Sequence, residues 1–141
     1  MVRNNLLSIF FHIILGVAGY NLLFLTLQGI QVFIVAAILL LLYFIGGYFL
    51  MTPQQNNKKN LVSVSLVSLI LIGTAIICSL ISIKPTQSIE WIIYAFANAP
   101  MISLLFQDQS DQLFLVYAYA FSCVPSLALW MGLNLKRKNA H

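Results

Sequence analysis

The chain has 141 residues, 61% of them hydrophobic and only 7% charged, with a formal net charge of +4. Soluble domains run near ~45–50% apolar and ~25% charged, so this composition leaves too little polar surface to cover a water-facing globule. It points to an all-α integral membrane protein, and the length allows one membrane domain (residues 1–141) with short loops.

Met1 to Asn5 is a short polar start that contains Arg3. Leu6–Leu25 is apolar apart from Ser8, His12 and Asn21, and its length suits a first membrane span over 6–25. Val17-Ala18-Gly19 offers the small residues of a leader cleavage site. The apolar run continues to Leu27, however, which favours a retained span. Thr26–Gln31 reads as a tight polar turn around Gly29. Val32–Met51 is the second span, with Leu39 to Leu42 at its centre, Gly46-Gly47 near its end and Thr52-Pro53 to stop it. The hydrophilic run QQNNKKN follows, carrying Lys58 and Lys59, and leads to a third span over Leu61–Ile83, ended by Lys84-Pro85. Leu113–Leu133 is 21 residues without a charge. Trp130 sits at its boundary and Lys136, Arg137 and Lys138 lie just behind it. A basic cluster and an interfacial aromatic hold that end of a span on the cytoplasmic side.

Counting charge by side then sets the topology. With the amino terminus inside, four spans put Arg3, Lys58, Lys59, Lys136, Arg137 and Lys138 in the cytoplasm, and only Lys84 outside with the three acids Glu90, Asp108 and Asp111. That bias predicts four transmembrane helices in a compact bundle with both ends inside. It also accounts for the positive charge through the lipid bilayer, so no nucleic-acid partner is expected.

Ile89–Phe106 is nearly long enough to span, but crossing would carry the terminal basic cluster outside. Proline disfavours helix at the residue before it and removes a backbone donor. Asn98-Ala99-Pro100 therefore predicts two short helical pieces in the outer loop between spans three and four, either re-entrant or lying at the interface. Trp91 and Tyr94 suit the headgroup level. This apolar, broken segment is the candidate partner-binding surface, through Trp91, Tyr94, Phe96, Asn98, Pro100 and Met101.

Small residues recur at helical spacing in three spans: Ser65, Ser68, Ala75, Ser79 and Ser82 in the third, Ala118, Ser122 and Ser126 in the fourth, and Ser8, His12, Gly19 and Thr26 in the first. Such stripes let backbones approach closely, and packing explains them more simply than a polar path does. His12 is the only side chain in the four spans that titrates near neutral pH, a functional hypothesis by default. A proton relay or ion site usually needs a carboxylate, and no span contains Asp or Glu, so a hydrogen-bonded neutral imidazole is the simpler expectation. Pro125 should kink the fourth span, with Ser122 or Ser126 helping to satisfy the backbone it frees. Cys78 and Cys123 form no CxxC or Cys/His spacing and read as small buried apolar residues.

The sequence contains no HExxH, GxSxG, P-loop or glycine-rich dinucleotide turn. The one histidine besides His12 is His141. No enzyme activity, cofactor or metal is expected. The abundance of Asn, Lys and Ile fits an AT-rich bacterial genome. The expected function is that of a non-catalytic, multi-pass protein of a bacterial cytoplasmic membrane, acting through a protein partner or a homo-oligomer. An accessory subunit, or an immunity-type protein against a membrane-active toxin, fits that description. The alternative is a small-solute transporter or oligomeric channel subunit that uses His12, Asn21, Ser122 and Ser126. The topology is testable with a lone cysteine at position 139 in a thiol-free variant. An impermeant thiol reagent should label it only in permeabilised cells, and strong labelling of intact cells would overturn the orientation.

Overall fold

The computed structural model describes residues 1–23, 30–82, 89–98 and 111–140. Among them all regular structure is helical: α1 (Val2–Leu23), α2 (Ile30–Phe49), α3 (Asn57–Val62), α4 (Leu66–Ile81), α5 (Ile89–Ala97) and α6 (Asp111–Asn139). Among the described residues two helices are long and apolar enough to cross a membrane, over Val2–Gly19 and Leu113–Asn139, and Phe33–Phe49 and Leu66–Ile81 are shorter apolar helices. By length and composition alone, that is weak support for membrane association.

At 1.5 Å per residue α6 is roughly 44 Å long, and α2 and α4 make the two largest helix contacts along it. Two glycines allow the backbones of α2 and α6 to meet. A Cβ at Gly47 would collide with the Leu129 carbonyl, and one at Gly132 would lie 2.9 Å from the Tyr48 nitrogen and run into the Phe44 carbonyl. Around this crossing Leu15, Leu39, Tyr43, Met51, Val64, Leu129 and Leu133 form one buried cluster. A second cluster lies beneath α5, from Ala75, Cys78, Trp91, Tyr94, Phe114 and Ala118.

Most of the small-residue stripe positions face inward: Ser8, Gly19, Ser68, Ala75, Ala118, Ser122 and Ser126 are buried, Ser65, Ser79 and Ser82 are half-buried, and Thr26 lies outside the described residues. The opposite faces are apolar and uncovered, with Phe10 63% and Leu80 82% exposed. Six of the seven basic residues gather at one end of the molecule. There Arg3 bonds Thr52 Oγ1, Lys136 donates to Met51 O at 2.9 Å, and Arg137 donates to Asn57 Oδ1 at 2.6 Å.

Three boundaries differ from the sequence reading. Helix α1 begins at Val2, so Arg3, Asn4 and Asn5 belong to it. Helix α6 runs through the basic tail to Asn139 and passes Pro125 without interruption. The stretch expected as one span over 61–83 is instead two helices, divided by a turn at residues 63–65. Its cause is side-chain intrusion, described below. Of the turn expected at Thr26–Gln31, Thr26 to Gly29 lie outside the described residues, whereas Ile30 and Gln31 already belong to α2, which starts two residues before the expected Val32.

The glycine crossing gives a stability test. Gly132→Leu and Gly47→Val should each destabilise the protein by about 1–3 kcal/mol through overpacking, read as a lower unfolding midpoint in detergent. Gly73→Ala is the control, because nothing lies within 4 Å of a Cβ there.

Candidate functional site

Helix α5 has two unlike faces. Trp91, Tyr94, Ala95 and Asn98 repeat at three- and four-residue steps and are buried, while Ile89, Ile92, Ile93 and Phe96 are exposed on the other face. Trp91 anchors the first turn. Its indole N–H donates to Ser82 O at 3.2 Å, and its ring meets Phe114 and Tyr94 edge-on at centroid distances of 5.3 and 5.4 Å. Nearby, Cys78 Sγ donates to Glu90 O at 3.2 Å. From that contact with the end of α4, α5 runs inward for about 13 Å. It finishes beside the middle of α1, against His12.

His12 is saturated at both nitrogens. Ala97 O lies 2.8 Å from Nε2, and a carbonyl only accepts, so Nε2 carries the proton. Nδ1 then accepts from the Tyr43 hydroxyl at 2.5 Å. One neutral imidazole thus ties α1 to α2 and to the last carbonyl of α5. On the other side of α5, Tyr94 Oη donates to Ala118 O at 2.6 Å and accepts from Asn98 Nδ2 at 2.9 Å. Ser122 Oγ is 2.9 Å from Tyr94 Oη and donates to Ala118 O at 2.8 Å. Asn98 Oδ1 is buried and has no hydrogen-bond donor among the described residues.

This cluster holds α5 in place and contains no activated nucleophile. Both His12 nitrogens are engaged, and the nearby Ser122 hydroxyl is spent on its own helix. Among the described residues no three His, Cys, Asp or Glu side chains converge on a metal position.

A second polar assembly lies at the basic end. The turn at 63–65 interrupts the helical ladder, so carbonyls of α3 and amides of α4 lose their partners. Asn5 bridges one gap, donating to Val62 O at 3.2 Å and accepting from Leu66 N at 3.2 Å. Ser126 bridges the next, donating to Val64 O at 2.8 Å and accepting from Ser68 N at 3.3 Å. Asn4 clamps the end of α2 in the same way, through Thr52 O at 2.8 Å and Thr52 N at 3.1 Å, and also donates to Ser63 Oγ. Asn60 accepts from Gln54 N at 2.6 Å and donates to Asn134 Oδ1 at 2.7 Å.

The candidate residues from the sequence therefore separate. Trp91, Tyr94 and Asn98 are interior, which corrects their assignment to an exposed partner-binding surface: their rings and amide are used to bind α5 to its neighbours. Phe96 is 52% exposed and stays on the outer face. Pro100, Met101 and the second helical piece up to Phe106 lie outside the described residues. His12 and Ser122 approach the two sides of α5. Ser126 belongs to the 63–65 turn, and neither serine hydroxyl serves the carbonyl freed by Pro125. Asn21 is exposed and donates to Val17 O of its own helix at 2.7 Å, apart from His12. Sequence reasoning missed Tyr43, Asn4, Asn5, Asn60 and Asn134. The available signal was the density of uncharged amides flanking apolar runs, where lysine or arginine alone would set orientation.

Compared with known protein families, curated proteins and solved structures, the chain matches none. The amide clamps are testable directly. Asn5→Ala should cost about 1–3 kcal/mol for each backbone group left without a partner. The measurement is the unfolding midpoint in detergent against exposed Asn139→Ala, which should stay within about 0.5 kcal/mol of wild type.

Proposed function

We propose that this is a multi-pass protein of a bacterial cytoplasmic membrane, with both ends inside and α5 re-entering from the outer side. We further propose that it works without catalysis by binding a protein partner or a second copy of itself. It would serve as an accessory subunit or as an immunity-type protein against a membrane-active toxin. The membrane part is supported by the uncovered apolar faces of α1, α2 and α4, for which lipid is the fitting solvent. Six basic residues at one end support the orientation.

One observation carries the partner-binding reading. A helix of only nine residues is fixed by a buried aromatic wedge and a polar cluster, yet its other face offers Ile89, Ile92, Ile93 and Phe96. Short helices are marginal without tertiary support. Here that support holds a rigid apolar ridge in one place, as a docking surface requires. The membrane-facing surface of the ridge is the bet, in place of Trp91 and Tyr94.

A transporter or channel is the second reading, favoured by the buried Asn98 Oδ1, which has no donor among the described residues, at the end of α5 that His12 meets through Ala97 O. Half-helices that end at mid-depth line solute sites in transporters. Solute flux in reconstituted vesicles that His12→Ala abolishes would favour it.

Photo-crosslinking separates partner from lipid. A crosslinker at position 93 or 96 should give a discrete protein adduct in cells, whereas one at position 80 should give lipid adducts only. Lipid adducts at all three positions would remove the docking reading.

A further inference from the structure

A groove of about 380 Å³ opens at the basic end, lined by Phe44 of α2, Asn57 of α3 and Trp130, Met131, Asn134, Leu135 and Lys138 of α6. Its α6 wall follows one helix face, and it grades from apolar Met131 to cationic Lys138 over seven residues, or about 10 Å. The polar wall is built. Trp130 Nε1 donates to Asn57 O at 3.0 Å, which fixes the indole against α3. Asn57 Oδ1 is held by Arg137 at 2.6 Å, and Asn134 accepts from Asn60 through Oδ1, so its amide N–H groups stay available to a guest.

Charge identifies the guest. Lys136 and Arg137 are committed to backbone carbonyls and to Asn57, whereas Lys138 and Lys58 are exposed. Neither acid among the described residues is near: Glu90 belongs to α5 at the far side of His12, and Asp111 opens α6 some 40 Å away along the helix. A basic rim above an apolar floor, open to the side, matches one chemistry: a phosphodiester attached to an acyl chain.

We propose that this groove binds an anionic phospholipid of the cytoplasmic leaflet, with its phosphate at Lys138 and Asn134 and an acyl chain along Met131, Leu135 and Phe44. The proposal rests on the membrane reading above. The bound lipid would bridge α2, α3 and α6 at the place where α3 has only six residues of its own, so it would brace the polar turn from outside.

Trp130 reports on the groove. The full-length protein is reconstituted into equimolar phosphatidylcholine and phosphatidylglycerol vesicles, with bromine carried on the chains of one lipid or the other. The Trp130→Phe variant supplies the signal of Trp91, the other tryptophan. Brominated phosphatidylglycerol should quench Trp130 more than brominated phosphatidylcholine does, and Lys138→Gln should reduce that preference about fivefold, the worth of one lysine near an anionic surface. Should Trp130→Phe fold poorly, native mass spectrometry of wild type and Lys138→Gln reads the same preference as retained phosphatidylglycerol. Equal quenching by both lipids, or a preference unchanged by Lys138→Gln, would overturn the lipid site and leave the membrane reading standing. No quenching by either lipid would overturn both.

Discussion

A backbone amide or carbonyl that leaves the helical ladder in apolar surroundings must find another partner, at a cost of several kcal/mol if it fails. That constraint shapes the basic end of this protein. The chain stops being helical after α2 and again between α3 and α4, and each interruption is met by a side chain that imitates a peptide group. Asn4 offers Thr52 a donor and an acceptor, as a neighbouring strand would. Asn5 does the same for Val62 and Leu66, and Ser126 for Val64 and Ser68. The bonded groups come from α1 and α6, so satisfying the turn also fixes where those helices dock. Local geometry and tertiary arrangement are here the same set of bonds.

The other end is organised by an aromatic wedge. Trp91 and Tyr94 are too large to bury without partners for their polar atoms, and each finds a carbonyl: Ser82 O for the indole and Ala118 O for the phenol. Those two bonds orient α5 between α4 and α6. His12 then meets the last carbonyl of α5 from α1. Five helices are joined through this cluster if Tyr43 of α2 is included, although α5 itself is shorter than any of the helices it touches there. The apolar ridge on its outer face inherits that rigidity.

Much of this was legible in the residues, and the reasons it was legible are physical. A long uncharged run has few stable fates other than a helix, so α1, α2 and α6 followed from hydropathy. Small-residue stripes predicted which faces turn inward, because only those faces permit close backbone contact. The end of α5 at Ala97, just before Asn98-Ala99-Pro100, accords with proline chemistry. What stayed hidden was pairwise. Ser63, Val64 and Ser65 have no strong helix-breaking character, and their turn exists because Asn5 and Ser126 reach it from 57 or more positions away in sequence. Trp91 and Tyr94 were assigned to a surface because aromatic residues favour membrane interfaces. Only the arrangement of α4 and α6 reveals the carbonyls that draw them inward.

The basic cluster illustrates how one sequence feature carries two kinds of information. Positive residues beside an apolar run set orientation by their number, and for that purpose Lys136, Arg137 and Lys138 are interchangeable. In the fold they are not. Lys136 caps the carbonyls that end α2, as a cation near a helix C-terminus should. Arg137 uses its fork to hold Gln55 and Asn57 on the loop before and within α3. Only Lys138 keeps its charge outward, at the rim of an apolar groove. Replacing the three by any other cations would preserve the topological signal and lose this division of labour. Arginine is not a substitute for lysine in reaching a pair of carbonyls, nor lysine for arginine in bridging a carbonyl and an amide at once.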